Sequence, residues 1–350
     1  MFLADQIIYA TNVHEGGGKV LLLPILEELK NKKNIIFILD KRLELPKSLI
    51  LKGKIIRVSP TLIGRLFMEY RLLKLLTKET RIMCMGNLPP LWAKPKHLMV
   101  FVQNRYLIEN LSLKSFPFLV QIRITIERWW LSARSHRVNH FVVQTESMSR
   151  LLQLRLWRVP DVLPYMNWSK QVKNNSVSTL KKKFDYVYIA DGTPHKNHRN
   201  LIEAWIIMAK RGIFPTLCLT IEKKHDGVLF RWIDAKRKQY DLKIEMVGKL
   251  KYLEVQDLYN RSSALVYTSF VESLGLPLLE ATKHGIAIFA SDLDYVHDII
   301  QPTAVFNPYY PESIAETLIK KYPESKAKTI IKVETAISFL ENSSSNNNRI

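Results

Sequence analysis

Cysteine is almost missing from this chain: 350 residues hold two, Cys84 and Cys218. They lie far apart, fit no metal-ligand spacing and sit in apolar runs. That excludes a disulfide framework and a zinc site, and it suits buried thiols in a reducing cytoplasm. Long hydrophobic runs are missing too. No stretch of ~18 uncharged apolar residues occurs, so no transmembrane helix is expected. The first residues carry Asp5 and no basic cluster, so they do not read as a signal peptide. Glycine (12) and proline (16) are too few for wholesale disorder.

Acidic residues are also scarce, 32 against 52 Lys and Arg, and the imbalance is uneven. Residues 1–170 hold 27 cationic and 12 acidic side chains, a surplus of 15; the rest hold 25 and 20, a surplus of 5. A basic first half suits an anionic partner such as phospholipid, a diphospho-lipid or a phosphorylated glycan, or else serves only solubility. No zinc-finger spacing or RNP-type aromatic motif is present, so nucleic acid is not expected.

What the chain does have is an apolar strand, Ala264–Ser269, followed by FVESLGLPLLEATKHG over 270–285. The reading is strand, loop, helix. Glu272 falls in the loop, Gly275 permits a tight turn and close approach to a ligand, and Pro277 suits the first turn of a helix. Glu280 is then expected on that first turn. Exposed amides at a helix start favour phosphate, and a carboxylate there can accept from sugar hydroxyls.

The stretch Glu272-Ser-Leu-Gly-Leu-Pro-Leu-Leu-Glu280 resembles the E-x7-E motif of glycosyltransferase family 4, whose members have the GT-B fold. The resemblance implies that Glu280 holds a ribose and that Glu272 lies beside the transferred sugar as a catalytic residue. It further implies that the backbone of Leu274, Gly275 and Leu276 contacts phosphate and sugar. After a second apolar strand at Asp185–Ala190, the loop DGTPHKNH resembles the family loop whose lysine, here Lys196, meets the donor diphosphate. The family arginine about six residues earlier is replaced by Ala190, so the second cation either comes from elsewhere, with His195 and Arg199 as candidates, or is missing. Gly248, at the end of the strand Ile244–Gly248, corresponds to a glycine near the nucleotide base.

The first half reads as strands at Gln6–Thr11, Asn34–Leu39, Lys54–Ser59, Arg81–Met85, Leu98–Val102 and Asn139–Thr145, with helices between. Gly16, Gly17 and Gly18 form a loop before a helix over 19–30. It is not a dinucleotide fingerprint, since G-x-G-x-x-G is absent. By resemblance this loop faces the cleft, with His14 a polar contact or acid/base group. The polar cluster Gln103, Asn104 and Arg105 follows a strand end, where ligands gather in open α/β sheets. Many relatives have a histidine where this chain has Gln103. GNLPP (86–90) and VQNRYL (102–107) look like bacterial members that build surface polysaccharides. Residues 62–78 form a helix with Arg65, Arg71, Lys74 and Lys78 among apolar residues. Residues 115–137 mix Phe116, Phe118, Trp129 and Trp130 with four arginines, Arg123, Arg128, Arg134 and Arg137. Both segments fit either a membrane surface or an ordinary packed helix.

The expected architecture is α/β: two Rossmann-like open parallel-sheet domains facing across a cleft. They would span 1–166 for the acceptor and 184–325 for the nucleotide sugar, with a linker at 167–183. A helix over 326–342 would return to the first domain, and 343–350 would be a disordered tail. The expected activity is that of a retaining, metal-independent glycosyltransferase with no permanently bound cofactor. It would move a sugar from a nucleotide-diphospho donor to a glycan or polyprenyl-diphosphate-linked acceptor of bacterial surface polysaccharide. The protein would be cytoplasmic, either free or peripheral on the inner face of the cytoplasmic membrane. The competing readings are a non-catalytic basic protein that binds nucleic acid or anionic membrane, and a nucleotide-sugar epimerase. Asp292-Leu-Asp294 mimics a metal-binding D-x-D but reads as a polar turn.

Overall fold

The computed structural model describes residues 4–165, 182–320 and 327–333. The chain divides into two compact units, Met1–Ser169 with Lys332–Ile350, and Lys170–Ile331. The expected linker, apart from Lys182 and Lys183, and the expected tail lie outside the described residues. So does most of the returning helix.

The first unit runs β1 (Gln6–Ala10), α1 (Gly16–Leu29), β2 (Ile35–Asp40), β3 (Lys54–Val58), α2 (Leu62–Leu75), β4 (Arg81–Cys84) and β5 (His97–Phe101). It continues with α3 (Phe118–Arg134), β6 (His140–Val143), α4 (Glu146–Leu156) and β7 (Asp161–Val162). All seven strands are parallel, in the order β3-β2-β1-β4-β5-β6-β7. The central strands are buried on both faces, as β2 shows with every residue buried, because helices cover both sides of a parallel sheet; the edge strand β3 exposes Lys54, Ile55 and Arg57.

Handedness assigns those helices. Right-handed crossovers put α2, α3 and α4, which carry the chain in one direction, on the same face, and α1 on the other. The packing agrees. Ile7 and Tyr9 of β1, Ile36 and Ile38 of β2, and Leu98 and Val100 of β5 share one core. It also contains Met68 and Leu72 of α2, Ile124 and Leu131 of α3, and Met148 and Leu152 of α4.

The second unit repeats the plan: β8 (Phe184–Tyr188), α5 (His198–Lys210), β9 (Leu217–Leu219), α6 (Gly227–Gln239), β10 (Ile244–Met246), α7 (Tyr252–Asn260) and β11 (Ser262–Tyr267). Then come α8 (Leu276–Lys283), β12 (Ala287–Ser291), α9 (Asp294–His297), β13 (Ile300–Gln301), β14 (Ala304–Phe306), α10 (Pro311–Ile319) and β15 (Lys328–Thr329). Its six-stranded sheet is ordered β10-β9-β8-β11-β12-β14, and β13 pairs antiparallel with β15. The order reverses between β8 and β11, as it does between β1 and β4 in the first unit.

Three local expectations change. The glycines at 16–18 are the first turn of α1 rather than a loop ahead of it. Lys328–Thr329, expected near the start of a returning helix, lie in a strand, because Ile300–Gln301 offer an open edge. Glu280 is the fifth residue of α8 and so sits on its second turn, since the left-handed Gly275 lets the helix begin at Leu276. Among the described residues no helix is long and apolar enough to cross a membrane.

Candidate active site

Where strand order reverses in an open parallel sheet, the loops leaving two neighbouring strands diverge and open a crevice beyond their carboxyl ends. In the second unit those strands are β8 and β11. The loop after β8 carries Asp191, Gly192 and a single 3-10 turn, Pro194–Lys196. The loop after β11 carries residues 268–275. Sheet order therefore brings together side chains 76 positions apart: Lys196 Nζ donates to Glu272 Oε1 at 2.5 Å. The Tyr267 hydroxyl donates to the same oxygen at 2.8 Å. The lysine and glutamate side chains are only 15% and 12% exposed. Burial by itself would raise the Glu272 carboxyl. The Lys196 ammonium outweighs burial and holds it below the usual carboxylate range.

The two loops are tied to each other by backbone as well as side chains. Phe270 N donates to His195 O at 2.8 Å, and Thr268 Oγ1 to Lys196 O at 3.2 Å. Buried Tyr188 donates to Lys196 O at 2.6 Å, so its 3.0 Å contact with Ser269 must be one it accepts. Asn197, left-handed at φ +59° and buried, donates to Thr268 O at 3.1 Å and Pro308 O at 2.8 Å. Gly192 admits no side chain, because a Cβ there would lie 2.5 Å from Asp226 Oδ1, which accepts from its N–H. The cation is thus presented on a braced loop. His198 packs against Tyr188, 4.9 Å between ring centroids, and burial drives it down to about 3, so it stays neutral.

Gly275 opens α8 at φ +71°, a conformation costly for any residue with a Cβ; Leu274 before it is buried. Leu276 and Pro277 form the first turn. Glu280 accepts from the Tyr259 hydroxyl at 3.1 Å, and burial pushes its carboxyl up to about 7. Gly248 lies just past the carboxyl end of β10. Ala190, at the position of the family arginine, exchanges hydrogen bonds with the Thr220 hydroxyl through its own backbone. Arg199, a candidate replacement, lies over the Trp232 ring, 4.9 Å from its centroid.

The remaining candidates belong to the first unit. His14 follows β1, with Nε2 3.4 Å from Glu15 Oε1. Gly16 and Gly17 open α1. Gln103 lies beside Gly18 of the same turn: a Cβ on Gly18 would lie 3.8 Å from Gln103 Oε1, and Gln103 Nε2 donates to Met85 O at 3.2 Å. Asn87 Oδ1 accepts from both Gln103 N and Asn104 N. Arg105 is buried and paired with Glu109 rather than offered to a ligand.

The first unit has its own recess at the β1–β4 reversal, lined by Tyr9, Thr11, Asn12, Arg65, Glu69 and Trp130 among others. Arg65 donates to Asn12 Oδ1 at 2.7 Å, and Tyr9 to Glu69 at 2.6 Å. Burial raises the Glu69 carboxyl, against the pull of its hydrogen bonds from Tyr9 and the Leu91 and Trp92 amides. Arg65 Nε and Trp130 Nε1 are buried without a hydrogen-bond partner.

Sequence reading missed this recess, as it missed the Tyr267, Tyr188 and Tyr259 hydroxyls, because their partners come from distant strands. The one available signal was the number of tyrosines in apolar strands, since a buried hydroxyl seeks an acceptor.

Comparison with known proteins places this arrangement. Residues 170–332, in effect the whole second unit, match the family model described as "Glycosyl transferases group 1". The second unit is thus similar in sequence to that group. Two curated proteins are similar over part of the chain. The O-antigen chain mannosyltransferase B of Escherichia coli is 28% identical over 116 residues, 33% of this chain and 30% of that one. The O-antigen chain mannosyltransferase RfbU of Salmonella typhimurium is 25% identical over 138 residues, 39% of this chain and 38% of that one. The matches span about a third of those relatives' length.

Among solved structures, Anabaena Alr3699/HepE in complex with UDP and glucose has a TM-score of 0.64 at 13% identity, over 89% of this chain and 88% of that one. WaaG, a glycosyltransferase involved in lipopolysaccharide biosynthesis, has a TM-score of 0.60 at 14% identity, over 99% and 95%. The fold is GT-B: two open parallel α/β sheets of like topology in one chain.

Proposed function

We propose that this chain is a retaining glycosyltransferase of bacterial surface-polysaccharide synthesis. It takes its sugar from a nucleotide-diphospho donor and gives it to a glycan or lipid-linked acceptor. The observation that carries this reading is Lys196 held against Glu272 at the β8–β11 reversal, beside the Gly275 turn that opens α8. It is supported by the group 1 match over the same residues, by relatives named as O-antigen mannosyltransferases, and by a structural neighbour that holds UDP and glucose.

In this reading the pair is the resting state of the site. The donor diphosphate draws Lys196 away from Glu272, and the amides at the start of α8 take further phosphate charge. Glu272 then accepts from hydroxyls of the transferred sugar, and Glu280 from the ribose. As the bond to the sugar breaks, negative charge grows on the departing diphosphate, and a preorganised ammonium and helix start stabilise it without rearranging. Those groups do the work a metal would otherwise do. The acceptor binds the first unit near Gly16, Gly17 and Gln103, with the recess donors Arg65 and Trp130 available to its hydroxyls. Retention of configuration comes from the family resemblance.

A thermal-shift panel of UDP-, GDP-, ADP- and CDP-linked sugars tests the reading. One nucleotide class should raise the melting temperature, and the shift should vanish in Lys196→Ala. Nucleotide release that rises only when an acceptor glycan is added separates transfer from epimerisation. No shift with any donor, or an unchanged shift in Lys196→Ala, overturns the reading.

A further inference from the structure

The recess at the β1–β4 reversal has apolar walls in Leu88, Pro89 and the Trp130 ring, and polar ones in Tyr9, Asn12, Arg65 and Glu69. It holds about 40 Å³, room for roughly three waters. A group of a few heavy atoms fits such a space, and a whole sugar ring does not. Its acceptors are already engaged. Glu69 takes the Tyr9 hydroxyl at 2.6 Å and the Leu91 amide at 2.7 Å, and the Trp92 amide as well. Asn12 Oδ1 takes Arg65 at 2.7 Å. Two donors are not engaged: Arg65 Nε of α2 and Trp130 Nε1 of α3 are buried without a hydrogen-bond partner. A buried N–H without an acceptor loses its hydration for nothing, so two at one cavity point to an oxygen that arrives from outside.

The oxygen that suits them accepts and does not donate. A sugar hydroxyl can take one of these donors, but it brings a hydrogen of its own into a cavity whose acceptors are taken. A carboxylate or phosphate brings charge instead. Arg65 is a cation, yet two buried acids stand against it: Glu69 in the recess, and Glu127, whose carboxyl feels the Arg65 charge. Burial raises both carboxyls, so the region already holds negative charge poorly, and a third anion would add to that cost. A neutral carbonyl oxygen avoids the cost and has two lone pairs, one for each donor. On a sugar that oxygen belongs to an acetamido substituent. Such a substituent has the few heavy atoms the space admits, and its methyl finds the apolar walls.

We propose that this recess is an acetamido subsite: Arg65 Nε and Trp130 Nε1 donate to the carbonyl oxygen of an N-acetylated acceptor sugar, whose methyl packs on Leu88 and Pro89. The acceptor is then a glycan that ends in an N-acetylamino sugar. This rests on the reading of the chain as a glycosyltransferase whose acceptor binds the first unit.

The test is titration of the full chain, without donor, by saturation-transfer NMR with four methyl glycosides: those of N-acetylglucosamine, N-acetylgalactosamine, glucose and glucuronic acid. At least one acetamido glycoside should bind at least fivefold tighter than both the glucoside and the glucuronide. Trp130→Phe keeps an aromatic wall and removes the N–H. It should erase that preference and leave glucoside affinity and the melting temperature unchanged, since the N–H has no partner within the protein. Arg65→Lys, which keeps the cation and removes Nε–H, should erase the preference as well. Equal affinity for the acetamido glycosides and the glucoside overturns the proposal, as does no binding of any glycoside or an unchanged preference in Trp130→Phe. A preference for the glucuronide also overturns it and makes the recess an anion subsite. The donor-induced thermal shift, read on the same preparations, separates the two readings. A shift without the acetamido preference sinks the subsite alone; the preference without any shift sinks the transferase reading and leaves a sugar-binding recess.

Discussion

At the scale of single residues, the Lys196–Glu272 pair has a double role that can be separated. Removing the lysine alone leaves a mostly buried carboxylate without its cation, a change that costs about 3–5 kcal/mol in buried pairs. Lys196→Ala should therefore lower the melting temperature as well as donor affinity, whereas Lys196→Met/Glu272→Gln should recover much of the stability and none of the binding. Thermal unfolding and donor titration on the same preparations check this. Because the Glu272 carboxyl is held low in the folded protein, the stabilisation it supplies is present at neutral pH. It is lost as pH falls through the carboxylate range.

Glu280 has the opposite sign. Its folded value of about 7 lies above the ordinary 4.5, so its contribution is full below 4.5 and is lost as pH rises through about 7. Glu280→Gln should gain stability relative to wild type between pH 5 and 8, by roughly 1–3 kcal/mol. If Glu280 binds ribose as a carboxylate, wild-type donor affinity should rise from pH 6 to 8, and the Gln variant should lack that rise. Melting curves and donor titrations across pH measure both.

At the scale of elements, α8 depends on a backbone conformation at its start. Gly275 is left-handed, and a Cβ there would stand 3.1 Å from Leu278 Cδ1. Gly275→Ala should cost about 1–2 kcal/mol from the left-handed geometry alone. It should also weaken the donor-induced thermal shift, since the helix start moves. A variant that loses stability but keeps the full shift would show that the turn shapes the fold and not the ligand site. The braced loop at 193–197 is the complementary element: Tyr188, Thr268 and Asn197 fix its carbonyl and its left-handed corner.

At the scale of the whole molecule, the proposed donor site and the surplus of positive charge fall in different units. The second unit has its own sheet and carries the group 1 match, while the first holds most of the surplus positive charge. A chain cut to residues 182–333 should keep the donor-induced thermal shift and lose transfer. A fragment that still transferred sugar would place the acceptor site in the second unit.

Much of this was legible in the sequence because the signals were local. Strand and helix types followed from apolar runs and periodicity, and E-x7-E with Gly275 and Pro277 inside it pointed to the strand, loop and helix that β11 and α8 form. Boundaries were less legible: Gly16–Gly18 entered α1, Glu280 moved to the second turn of α8, and α6 (Gly227–Gln239) was not foreseen, its mixed aromatic and basic surface giving a weak period. The amino-acid sequence by itself determined the two α/β series, the acids, the lysine and the left-handed glycine, since each depends on neighbours a few positions away. Only the tertiary structure decided that Lys196 meets Glu272 and that Tyr267 and Tyr259 attend the two acids. Those contacts depend on strand order and crossover hand, which couple positions many tens of residues apart.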